Sequence, residues 1–78
     1  MVKVFACNPE ALRETAQATL TARSQARSIE FFAESVIPLA ANGLTKNRLT
    51  TIQARAREIS EDLQTIYNEV AQEAFGED

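Results

Sequence analysis

Seventy-eight residues suffice for one domain but leave a single hydrophobic core marginal, so chains of this size lean on disulfides, metals or association for added stability. One cysteine, Cys7, excludes an internal disulfide, and the absence of histidine removes the usual tetrahedral zinc sites, which leaves association as the expected support. Eight basic against eleven acidic residues, a net charge of −3, argue against a general binder of nucleic acid or of anionic membranes.

Residues 1–7 carry Val2, Val4 and Phe5 and read as a short extended segment. Their apolar run is too short for a signal peptide, and no stretch of the chain approaches transmembrane length, so the cytoplasm is the expected compartment. Asn8-Pro9-Glu10 is a helix start: Asn8 suits the N-cap, Pro9 the first helical position, and Glu10 the positive end of the helix dipole.

The first helix is predicted over 9–42, kinked or locally broken at 37–42 because Pro38 removes a backbone donor and disfavours helical geometry at Ile37. Asn42-Gly43 reads as a left-handed C-terminal stop, with Thr45 or Asn47 capping a second helix over 46–75. The expected fold is all-α: residues 1–78 as one antiparallel two-helix hairpin, coiled-coil-like, completed as a four-helix bundle on dimerisation.

The second helix carries Leu49, Ile52, Ala56, Ile59, Leu63, Ile66 and Val70, a 3/4 alternation that specifies a helix burying one narrow seam against another. The first answers with Leu12, Thr15, Thr19, Ala22, Ala26, Ile29, Ala33, Val36 and Ala40. Folding the chain at 43–45 brings together residues whose numbers sum to about 88, so that small side chains oppose large ones. Charge predicts the same register. Lys46, Arg48, Arg55 and Arg57 then oppose Glu30 and Glu34, while Glu58, Glu61, Asp62, Glu69 and Glu73 oppose Arg13, Arg23 and Arg27.

No catalytic, cofactor-binding or metal-ligating constellation is legible, and the chain reads as a non-enzyme. Glu61 and Asp62 are adjacent and point about 100° apart on a helix, which suits a solvated face better than acid/base work. Cys7 lacks a neighbouring base and reads as a small hydrophobe.

The residues with functional content are apolar ones that a single opposing helix cannot cover: Phe31, Phe32, Ile37, Leu39 and Leu44. Seven extended residues reach about 25 Å, whereas Asn8 to Phe32 spans about 36 Å of helix, so the N-terminal segment cannot cover them. The alternative is that Pro38 folds 39–44 back over the phenylalanines. The favoured reading is a protein-interaction module: a small adaptor, regulator or inhibitor of the phage- or plasmid-encoded kind, binding another protein, itself as a homodimer, or both. Two further readings stand beside it. One is a dimeric nucleic-acid-binding regulator using Lys46, Arg48, Arg55 and Arg57; the other is a structural subunit of a filament or shell.

Overall fold

The computed structural model describes residues 8–75. The chain is an all-α antiparallel hairpin: α1 spans Pro9–Val36, a short 3-10 turn spans Ile37–Leu39, and α2 spans Gly43–Phe75. The expected extended segment 1–7 lies outside the described residues.

Asn8 begins α1 as its sequence predicts, its side-chain oxygen accepting from the Ala11 N–H at 2.8 Å with Pro9 in the first turn. The end of α1 differs from expectation: α-geometry stops at Val36 rather than 42. Ile37 keeps helical angles (φ −49°, ψ −48°) and donates its N–H to the Ala33 carbonyl, so the restriction before Pro38 does not act there. Pro38 lacks the donor for the next bond, the chain tightens into the 3-10 turn, and Ala40 is extended.

Asn42 closes no helix. It opens α2, three residues earlier than predicted, its side-chain oxygen accepting from the Thr45 N–H at 2.7 Å while its carbonyl accepts from the Lys46 N–H at 3.2 Å. Neither Thr45 nor Asn47 is the cap, and no described residue has a positive φ. Asn-Gly favours a left-handed C-terminal stop only where a helix runs up to it, and Pro38 has already ended this one. Asn42→Ala should therefore cost about 1 kcal/mol, lowering the melting temperature by roughly 4–8 °C in a thermal scan followed by circular dichroism. An unchanged melt would show that the cap contributes nothing.

The hairpin closes near the predicted register. The Arg57 guanidinium donates to the Glu30 carboxylate at 2.9 Å. That hydrogen bond and the Glu30 charge raise the arginine pKa above its ordinary value, desolvation opposes the shift, and the Glu61 and Glu34 charges add to it. The pair ties α1 to α2 at this level of the hairpin. Arg57→Gln and Glu30→Gln should each destabilise slightly, and their coupling in a double-mutant cycle should vanish in about 1 M salt. Coupling that persists there would mean the pair is shielded from solvent.

The seam itself is half of the one predicted. Leu12, Thr19, Ala26 and Ala33 on α1 and Leu49, Ala56 and Val70 on α2 are buried at seven-residue spacing, with Leu63 half-buried. The second predicted row is covered only in part: Thr15, Ala22 and Val36 are half-buried, but Ile29, Ile52, Ile59 and Ile66 are 49, 40, 52 and 39% exposed. In their place the opposite flank turns inward, with Ala16 buried and Gln53, Ser60, Tyr67 and Ala74 half-buried. Alanines at 26, 33 and 56 let the backbones approach closely, and two helices in close contact share only one such line. Rotation of each helix about its axis then decides which flank joins it.

A cluster of buried side chains lies at the open end, where Leu12, Ala16 and Val70 pack against Tyr67 and Ala74. The one buried polar side chain among the described residues, Thr19, donates its hydroxyl to the Thr15 carbonyl at 2.7 Å.

Candidate functional site

Helical geometry puts the uncovered isoleucines on one side of the hairpin. Rows seven residues apart lie on one stripe of a helix, and in an antiparallel pair the equivalent flanks of the two helices point the same way. Ala22 and Ile29 from α1 and Ile52 and Ile59 from α2 accordingly line one groove of about 360 Å³, floored by Ala26, Ala56 and Leu63 and edged by Gln25 and Arg55. Its walls are almost wholly apolar, and Arg55 is the one charged residue among those lining it.

The apolar residues near the tip divide between this face and others. Phe32 is 59% exposed and falls seven residues after Gln25, on the edge of the groove. Phe31 is 63% exposed and is turned about 100° from Phe32, off that face. Leu39 and Leu44 are also exposed, in the 3-10 turn and in the first turn of α2. Ile37 departs from expectation: it is half-buried, because the flank of α1 that rolls inward is its own. The connection 39–44 does not fold over the phenylalanines, which both remain open.

The cations expected at the tip are also divided. Lys46, Arg48 and Arg55 are exposed on the early turns of α2, with Arg48 and Arg55 lining a shallow hollow beside Ile52. Arg57 is engaged with Glu30. Among the described residues no three histidine, cysteine, aspartate or glutamate side chains converge to hold a metal ion. No helix of the described residues is long and apolar enough to cross a membrane.

Sequence periodicity missed the isoleucines as a surface because it names the rows without fixing how the helices roll. The composition of the rows holds a partial signal: on α1 the row 15/22/29/36 offers mostly small side chains to Ile52, Ile59 and Ile66 of α2, which leaves those large residues incompletely covered. Comparison of the chain with protein-family models, with curated proteins and with solved structures finds no match.

Proposed function

We propose that the chain is a non-enzymatic protein-interaction module, a small adaptor, regulator or inhibitor that works by presenting apolar helix surface to another protein chain. One observation carries this reading. Among the described residues only three buried apolar side chains exceed alanine (Leu12, Leu49 and Val70), whereas nine large apolar ones are exposed, four of them isoleucines aligned on one face. Isolated exposed hydrophobes need no explanation, but a contiguous apolar groove with Phe32 on the stripe of its edge fits a surface meant to be covered.

The nucleic-acid reading has less support. Arg57 is occupied by Glu30, the chain is acidic overall, and no aromatic residue interleaves with Lys46, Arg48 and Arg55.

The test compares tagged wild-type chain with Phe31→Ser and Leu39→Ser, by recovery of bound protein from the source cell and circular dichroism of each variant. The expected result is a defined partner recovered with the wild type and lost with at least one variant at unchanged helicity. Equal recovery by all three would remove the tip as a docking surface, and loss of helicity in both would make these residues part of the fold.

A further inference from the structure

Resting on the reading of the groove as a docking face, we infer that its occupant is a second copy of this chain, packed tip to open end about a two-fold axis through the layer of Ile29 and Ile59. These two isoleucines sit at the same level of the hairpin, next to the Arg57–Glu30 pair that fixes its register. A two-fold axis in the face at that level stacks α2 antiparallel on α2 of the second copy, and α1 antiparallel on α1.

The sequence of the face is self-complementary about that point. On α2, Ile59 meets Ile59 and Ile52 meets Ile66. On the flanking row Arg48 meets Glu69 and Arg55 meets Asp62, so both charge pairs are of opposite sign. On α1, Ile29 meets Ile29, Val36 meets Ala22, and Phe32 meets Gln25, so the larger residues near the tip oppose smaller ones near the open end. The alternative two-fold, parallel to the helices, stacks α1 on α2 with the tips together. It sets Arg55 against Phe32 and gathers the arginines of both copies at one end and the acids at the other, which charge disfavours.

The area is adequate. A face as long as the 33-residue α2, about 50 Å, and 18 Å wide offers about 900 Å² per copy, close to the roughly 800 Å² per partner of a stable interface. The contact is isologous and closes on itself, so it yields a discrete four-helix dimer and not a filament.

The test is cysteine cross-linking on the full chain with Cys7→Ser, which removes the sole native thiol. Ile59→Cys, Ile52→Cys and Ile66→Cys are placed singly at positions already partly exposed in the hairpin, then treated with a short bismaleimide at micromolar chain. Expected is near-complete dimer for Ile59→Cys and little for either other chain alone, since residue 52 then lies about 21 Å along the helix from its own mate. An equimolar mixture of the 52 and 66 variants should cross-link efficiently. Self-linking of Ile52→Cys with little at 59 would overturn the tip-to-open-end arrangement. No cross-link at any position would overturn the homodimer while leaving the interaction-module reading to the partner-recovery experiment.

Discussion

Val70→Asp will leave the chain largely unfolded at 25 °C. Val70 is fully buried and is the largest described side chain to be so, held by Leu12 and Ala16 with Tyr67 and Ala74 alongside. A carboxylate there has no cationic partner within the apolar cluster. Burying an unpaired charge costs several kcal/mol, comparable to the whole stability of a domain at the low end of about 5–15 kcal/mol. Val70→Ala should be milder, about 2 kcal/mol for two lost methyl groups and the cavity behind them. The readout is helical circular dichroism at 25 °C and its thermal melt. A native melt for Val70→Asp would mean that the open end does not pack as described.

In the proposed dimer, the expected result of Ile59→Glu is lost association instead. Ile59 is half exposed in the hairpin, so a single chain tolerates the charge. In the two-fold dimer the same substitution puts two carboxylates against each other on the axis. At several kcal/mol, the dissociation constant should rise by roughly a thousand-fold or more in sedimentation equilibrium. Ile59→Lys should do the same alone, and mixing the two variants should restore a dimer containing one of each, because the position meets itself. Failure of the mixture to associate while each variant remains helical would show that residue 59 does not contact its own mate.

Several parts of the molecule were legible in the sequence for identifiable reasons. Asn8-Pro9-Glu10 set the start of α1 through local capping chemistry that needs no tertiary context. The complementary charge runs predicted the register within which Arg57 meets Glu30. Adjacent phenylalanines cannot face one way on a helix, which is why one at least had to be outside. The structure leaves both there.

What was not legible depended on how distant parts of the chain meet. Asn42 reads locally as a stop and serves as a start, because Pro38 had ended α1 several residues earlier. The heptad named Ile29, Ile52, Ile59 and Ile66 as seam residues, but the helices meet along the row of buried Ala26, Ala33 and Ala56 with their other flank turned partly inward. The isoleucines therefore became a surface. Ile37, expected to extend the exposed patch, was carried inward by the same rotation.

Whether the isoleucine face is an interface between copies is tested most directly by the melting temperature as a function of chain concentration. If folding and pairing are linked, raising the chain from about 1 µM to 1 mM should lift the midpoint by roughly 10 °C. A midpoint that stays constant over that range would mean that the hairpin stands alone with its isoleucines in water, contradicting the account.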